Sequence, residues 1–141
     1  MDDHSRLAYS EIHANERADT CAAFLVRSSQ CFAAHGVVVE RVMTDNAQVY
    51  RRAHLFREAI ILLGVRQVFT RPFRPQTNGK VERFNRTLLE EWAYVHPYRD
   101  NGHRSQLLEG RLHLYNHHRS RTALGGLSPV ARLNNLPGNY T

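Results

Sequence analysis

The chain has 141 residues, of which 42% are hydrophobic and 23% are charged, a composition typical of one globular domain and unlike that of a disordered chain. No apolar run approaches the roughly 18 residues that a membrane helix needs, and the polar N-terminus lacks the apolar segment of a secretory signal. We therefore expect a cytoplasmic protein with no membrane partner.

The formal net charge of +6 is concentrated in the second half of the chain. Residues 1–70 hold eight arginines and eight acidic residues, whereas residues 71–141 hold ten arginines, one lysine and five acidic residues. A one-sided basic surface of this kind is typical of nucleic-acid-binding proteins, although a solvated basic surface has the same composition. The preference for arginine over lysine suits bidentate phosphate binding, and a GC-rich genome produces it equally well.

Hydrophobic periodicity predicts an α/β fold. Apolar residues at helical spacing alternate with short strand-like runs, and glycines follow two of the helices. The run at 37–43 is almost continuously apolar, which is typical of a strand buried on both faces. The alternation of strands and helices predicts some parallel pairing. The predicted strands cover 7–13, 37–43 and 65–70, and the predicted helices cover 15–34, 53–63, 81–96 and 103–117.

Two carboxylates are notable for their positions. Asp45 follows the strand at 37–43, at the carboxyl edge where open α/β sheets bind ligands. Glu82 lies in the first turn of the helix at 81–96, beside its apolar stripe. Such a pair suits phosphodiester chemistry assisted by Mg²⁺, which is usually held by one or two carboxylates together with substrate phosphate. Alternatively, Asp45 caps the next helix and Glu82 forms an ordinary ion pair with Arg86.

Basic side chains surround Glu82 in the sequence. Some occupy the solvent side of its helix, and others lie in a proline-stiffened loop at 71–77 or directly after it. We expect these side chains to contact DNA. The basic residues are Arg71, Arg74, Lys80, Arg83 and Arg86, and the neutral Asn78 is expected to contact DNA with them.

Four motifs stand out along the chain: Asp3-His4-Ser5-Arg6, Thr44-Asp45-Asn46, Arg74-Pro75-Gln76-Thr77-Asn78-Gly79-Lys80-Val81-Glu82-Arg83, and Tyr115-Asn116-His117-His118-Arg119. Spread over essentially the whole chain, they resemble the integrase catalytic core of bacterial insertion-sequence transposases, within the retroviral-integrase superfamily. The resemblance implies a ribonuclease-H-like mixed sheet with flanking helices, a DDE triad that uses Mg²⁺ or Mn²⁺, and nicking and strand transfer of DNA. It makes Asp45 the second aspartate of the triad and Glu82 its glutamate.

The chain departs from that family at points that bear on activity. The family's first aspartate lies upstream of the Asp-His-Ser-Arg turn, so the resemblance implies an N-terminally truncated core that lacks the first strand and most of the second. Ala47 replaces the usual glycine beside the metal site. Between Asp45 and Glu82 lie 36 residues, one more than is usual in the family.

These observations lead to a partial catalytic core over 1–98, followed by a basic helix and tail of the same core over 99–141. We expect a bacterial protein of DNA transposition, and we expect the 141-residue chain to be inactive by itself. Whether it is an enzyme is therefore left open. The alternatives are a non-catalytic DNA-binding remnant and a non-functional fragment. We also expect self-association, either as a transposase oligomer or through the open edge of the strand at 37–43.

Overall fold

The computed structural model describes residues 1–70, 79–88, 90, 101–119 and 124–134. It divides into a strand unit, residues Glu11–Gly79, and a helical unit, residues Met1–Ser10 with Lys80–Thr141. The expected boundary between 98 and 99 lies outside the described residues. So do the loop predicted at 71–77 and most of the second half of the helix predicted at 81–96.

The strand unit alternates helices with two short parallel strands. The strands β1 and β2 pair in the register Arg41 with Arg66 through Thr44 with Phe69. This arrangement confirms the predicted α/β class and the parallel pairing. In chain order the elements are α1 (Ala18–Ala34), β1 (Arg41–Thr44), α2 (Gln48–Arg51), α3 (His54–Leu63) and β2 (Arg66–Phe69).

The core of the strand unit forms where α1 and α3 pack together beside β1. Leu25 of α1 joins Phe56, Ala59 and Ile60 of α3, and Val42 of β1 packs against them. Full burial of a leucine, isoleucine or phenylalanine side chain stabilises a fold by about 1.5–3 kcal/mol.

The prediction that the strand at 37–43 is buried on both faces is wrong. The strand begins only at Arg41, and Val38 and Met43 are 84% and 51% exposed. Side chains of a strand alternate between its two faces, so Val42 reaches the helical core while Met43 points the other way. That second face is open to solvent at Met43.

Helix ends in the strand unit follow local signals. The helix α1 gives way to Gly36 (φ +79°), and α3 ends at Gly64 (φ +66°), so both predicted glycine stops are confirmed. The helix α1 begins at Ala18 rather than at the predicted position 15, and its N-cap residue, Arg17, makes no side-chain capping bond. Instead the Asn15 carboxamide oxygen accepts hydrogen bonds from the Arg17 N–H at 3.1 Å and the Thr20 hydroxyl at 2.7 Å.

The helical unit contains α4 (Gly79–Leu88), α5 (Asn101–His117) and α6 (Pro129–Asn134), of which α4 begins at the unit boundary. Its core joins Ala8, Phe84 and Tyr115, and the two rings meet edge to face with centroids 4.9 Å apart. The short helix α6 was not predicted from the Gly-, Pro- and Asn-rich tail. Pro129 occupies its first position, where a proline is favoured, and Leu133 is buried.

The strand predicted at 7–13 is absent from the described part of the chain. Leu7 and Ala8 are nevertheless almost fully buried. The Asn116 carboxamide of α5 accepts a hydrogen bond from the Ala8 N–H at 2.9 Å and donates one to the Ala8 carbonyl at 2.8 Å. A side chain thus satisfies the two backbone groups that a neighbouring strand would otherwise satisfy.

None of the helices within the described ranges is long and apolar enough to cross a membrane.

Candidate functional site

Asp45 lies immediately after β1, at the carboxyl end of the parallel strand pair, and its side chain is exposed. Its Oδ1 accepts the Ala47 N–H at 2.9 Å. The N-cap residue of α2 is Ala47, which has no side-chain capping bond, so Asp45 shapes the turn before α2 rather than capping that helix. Among the described residues, the second Asp45 oxygen has no hydrogen-bond partner. It is therefore open to a ligand.

Asn46, next to Asp45, joins the carboxyl ends of both strands. Its carboxamide nitrogen donates to the Thr70 carbonyl at 3.0 Å, just past β2. Its carboxamide oxygen accepts a hydrogen bond from Nη1 of Arg51 at 2.6 Å. Two further hydrogen bonds stabilise this edge: Nε2 of Gln67 donates to the Thr44 hydroxyl at 3.1 Å and to the Tyr50 carbonyl at 2.9 Å.

Tyr50 forms an apolar side of the same edge. Its ring packs edge to face on Phe56 with centroids 5.1 Å apart. Burial raises the pKa of Tyr50 to about 12, with Cys21 and then Asp45 as further causes, because nearby negative charge opposes ionisation. Its surroundings therefore favour the neutral phenol over the phenolate.

Glu82 lies in the first turn of α4, with its carboxylate exposed. Phe84, 3% exposed, fixes the inner face of the helix, which leaves Glu82, Arg83 and Arg86 on the outside. The Glu82–Arg86 ion pair, which was the alternative role for this carboxylate, is not formed among the described residues. The negative charge of Glu82 is electrostatically favourable in the first turn of α4, because the N-terminal end of a helix carries a partial positive charge.

Lys80 has a partner that the sequence did not indicate. Its Nζ lies 2.6 Å from the Asp3 carboxylate and 3.1 Å from the Asp3 carbonyl oxygen. The hydrogen bond and charge of Lys80 hold the pKa of the Asp3 carboxyl below its usual value. The expected DNA-binding ammonium group is therefore paired with an acid.

Hydrogen bonds from side chains within the turn stabilise the turn that carries Asp3. Asp2 accepts hydrogen bonds from both the backbone N–H and the hydroxyl of Ser5, and the buried Ser5 hydroxyl in turn accepts the Leu7 N–H at 3.2 Å. Arg6 has a left-handed backbone (φ +65°), an uncommon conformation for a residue with a side chain. Asp2 is thus used in shaping this turn.

The site predicted from sequence is thus distributed over the two units. Asp45 belongs to the strand unit and Glu82 to the helical unit, and their convergence stays a prediction. Three of the expected DNA-binding residues, Arg71, Arg74 and Asn78, lie outside the described residues. Within the described ranges, no three His, Cys, Asp or Glu side chains form a metal-holding group.

Sequence reasoning did not identify two residues at the carboxyl edge of the β1–β2 pair. Asn46 was noted only as part of a motif, and Arg51 was not singled out at all. An asparagine directly after a strand-end aspartate was the available signal for the first. No sequence signal pointed to Arg51, because its contacts with Asn46 and Phe69 depend on how the two strand ends meet.

The donor set at the two carboxylates suits a hard divalent cation. Asp45 has one oxygen without a hydrogen bond, and Glu82 has no ion pair, among the described residues. Carboxylate oxygens are the ligands that Mg²⁺ and Mn²⁺ prefer. The residues present therefore fit such an ion chemically.

Comparison with known proteins gives a family match and a fold match. Residues 63–129 match the integrase core domain family. The structure is similar to the catalytic core domain of BIV integrase, with a TM-score of 0.67 and 23% sequence identity, over 90% of this chain and 77% of that chain. The expected ribonuclease-H-like fold is thereby confirmed. Both matches are to integrase cores, and they support the resemblance to the integrase/transposase catalytic core superfamily.

Proposed function

We propose that this chain is the DNA-binding catalytic core of an insertion-sequence transposase, with Asp45 and Glu82 as two ligands of its divalent metal ions. The strongest support is the exposure and the hydrogen bonding of the Asp45 carboxylate. Its carboxylate is exposed at the carboxyl edge of the sheet, and the Ala47 N–H fixes one oxygen while the other has no partner among the described residues.

The metal would be Mg²⁺ or Mn²⁺, held by Asp45 and Glu82, and when bound it stabilises charge on the attacking and leaving oxygens of a phosphodiester. The protein's own contribution is orientation. Asn46 ties the turn after Asp45 to the end of β2, and the buried Phe84 ring fixes which face of α4 carries Glu82. Both carboxylates thus belong to well-restrained backbone.

Binding of the DNA backbone would come from exposed cations. Arg83 and Arg86 lie on the outer face of α4 without an ion pair among the described residues, so their charge is available to phosphates. Arg71, Arg74 and Asn78 extend this surface in our proposal. Lys80 joins it only when a phosphate displaces the Asp3 carboxylate from its ammonium group.

Catalysis needs more than the metal and DNA binding proposed above. A two-ion site needs a further carboxylate, which the family resemblance assigns to no residue of this sequence. For the 141-residue polypeptide we therefore expect metal and DNA binding without nicking or strand transfer. Metal-dependent nicking that is lost in Asp45→Asn would show instead that the polypeptide is catalytically active.

Titration with Mn²⁺, followed by water proton relaxation, tests the metal proposal. We expect Asp45→Asn and Glu82→Gln each to weaken Mn²⁺ binding by about tenfold or more, because a site with few carboxylates loses one. Glu40→Gln is the matched control, since Glu40 is an exposed acid at the opposite end of β1. Equal binding by all four proteins would refute the assignment.

A further inference from the structure

We propose that Arg51 is a preorganised ligand for a DNA phosphate, beside Asp45 at the carboxyl edge of the β1–β2 sheet. This inference rests on the proposed function, and it adds a phosphate contact outside the basic surface of α4 and the segment before it. All of the residues that support it lie in the strand unit.

The Arg51 guanidinium is held from two directions. Its Nη1 donates to the Asn46 carboxamide oxygen at 2.6 Å, and its central carbon lies 5.1 Å from the centroid of the Phe69 ring. A planar guanidinium stacks on an aromatic face while its edge donates hydrogen bonds. Because the side chain is already restrained, binding a ligand costs less conformational entropy than it would for a free surface arginine.

The charge of Arg51 is not neutralised by this arrangement. Asn46 is a neutral partner, and among the described residues no carboxylate lies within ion-pair distance of Arg51. A guanidinium has five N–H donors, so the one bond to Asn46 leaves a donor edge free. Since Arg51 is exposed, that edge is accessible to an anion.

Further cations adjoin Arg51. Arg52 follows it with an exposed side chain, and Nη2 of Arg57 lies 3.4 Å from the Arg51 carbonyl oxygen. The nearest acids along the chain are Asp45 and Glu58, and Glu58 is paired with His54 at 2.7 Å. The local balance of charge is therefore positive, which favours a phosphodiester.

The position of Arg51 relative to Asp45 gives the contact its role. Asn46 is the residue after Asp45, and it binds both Arg51 and the Thr70 carbonyl at the end of β2. Arg51 is thereby fixed to the strand ends from which Asp45 emerges. A phosphate held there lies at the edge where we place the metal-binding carboxylate.

Binding of a short DNA duplex, measured by fluorescence anisotropy over a range of salt concentrations, tests this inference. We expect Arg51→Ala to weaken binding and to flatten the slope of log K against log salt by about 0.9, the effect of losing one phosphate contact. Arg51→Lys should keep the slope but bind several-fold more weakly, because lysine keeps the charge and loses the planar fork.

Arg41→Ala is the matched control, since Arg41 is an exposed arginine at the opposite end of β1. It should leave the slope unchanged. A slope for Arg51→Ala equal to that of Arg41→Ala, with binding still lost in Arg83→Ala/Arg86→Ala, would overturn the role of Arg51 and leave the proposed function standing.

Failure of the wild-type chain to bind DNA would overturn both proposals together. Thermal melting shows whether Arg51→Ala folds. If it does not, the comparison of Arg51→Lys with wild type decides, because Arg51→Lys preserves the charge. Wild-type affinity in a folded Arg51→Lys protein would then contradict the preorganised fork.

Discussion

Asn116 has the largest structural effect that we assign to a single polar side chain. It is buried, and its carboxamide makes both hydrogen bonds to the backbone of Ala8, 108 positions away. We expect Asn116→Ala to lower the free energy of unfolding by about 2–3 kcal/mol, because two buried backbone groups lose their partner. Urea unfolding measures this, with the exposed Asn85→Ala on α4 as a control that should change stability little.

An Asn116→Ala protein as stable as the Asn85→Ala control would show that the Ala8 backbone finds other partners.

The role of Asn116 could not be predicted from sequence, because hydrogen bonds between distant segments depend on tertiary structure. Asp45 is the opposite case. Its exposed position after a strand followed from the apolar run before it and needed no tertiary information.

The Lys80–Asp3 pair gives a prediction for acidic pH. The pKa of Asp3 lies below its usual 3.8, so the pair stabilises the fold above that value and the contribution is lost as pH falls through the lowered pKa. Both side chains are substantially exposed, so the effect on stability is small. An NMR titration of the Asp3 carboxyl should show its pKa rising toward 3.8 in Lys80→Met.

Arg83→Ala, which removes a neighbouring cation from α4 without touching Asp3, is the control for that titration. It should leave the Asp3 pKa near the wild-type value. A pKa that is the same in Lys80→Met and wild type would mean that Lys80 is free of Asp3 in solution and fully available to DNA.

At the scale of elements, two glycines form a matched pair, one at the end of a helix and one in the interior of a helix. Gly64 ends α3 with φ +66°, whereas Gly110 lies inside α5, and an added Cβ meets nothing within 4 Å at either. We expect Gly64→Ala to destabilise the protein by about 1–2 kcal/mol, because alanine is strained in the left-handed region. Gly110→Ala should stabilise it by up to about 1 kcal/mol through helix propensity.

Thermal or urea unfolding of the two variants measures this difference. Stabilisation by Gly64→Ala would contradict the left-handed end of α3.

The same helices show which structural features a local sequence pattern predicts well. The helix at 53–63 was found at His54–Leu63 because its apolar spacing and final glycine are local signals.

Strands were predicted less well, since their burial depends on neighbours that the sequence does not reveal. The run at 37–43 suggested two covered faces, but only the face of Val42 packs on helices. The segment at 7–13 has strand-like composition, yet a side-chain amide from α5 takes the position of a neighbouring strand. The strand-like composition thus predicted the wrong kind of partner for this backbone.

At the scale of the whole molecule, the excess of arginine in the second half predicts salt-dependent DNA binding. We expect Arg83→Ala/Arg86→Ala to weaken binding evenly across DNA sequences and to flatten the slope of log K against log salt by up to about 2. Arg41→Ala/Arg66→Ala is the control, because these exposed arginines pair at the start of the two strands. Equal slopes for both double variants would place the DNA-binding surface elsewhere.

In our proposal, Asp45 and Glu82 bind the same metal ion or pair of ions. The most direct measurement is an anomalous difference map from a crystal of this chain soaked in Mn²⁺. We predict a Mn²⁺ peak bonded to oxygens of both residues, or two peaks about 3.5–4 Å apart that each contact one of them, with the two carboxyl groups within about 8 Å. Carboxyl groups on separate surfaces, with no Mn²⁺ at either, would contradict the account.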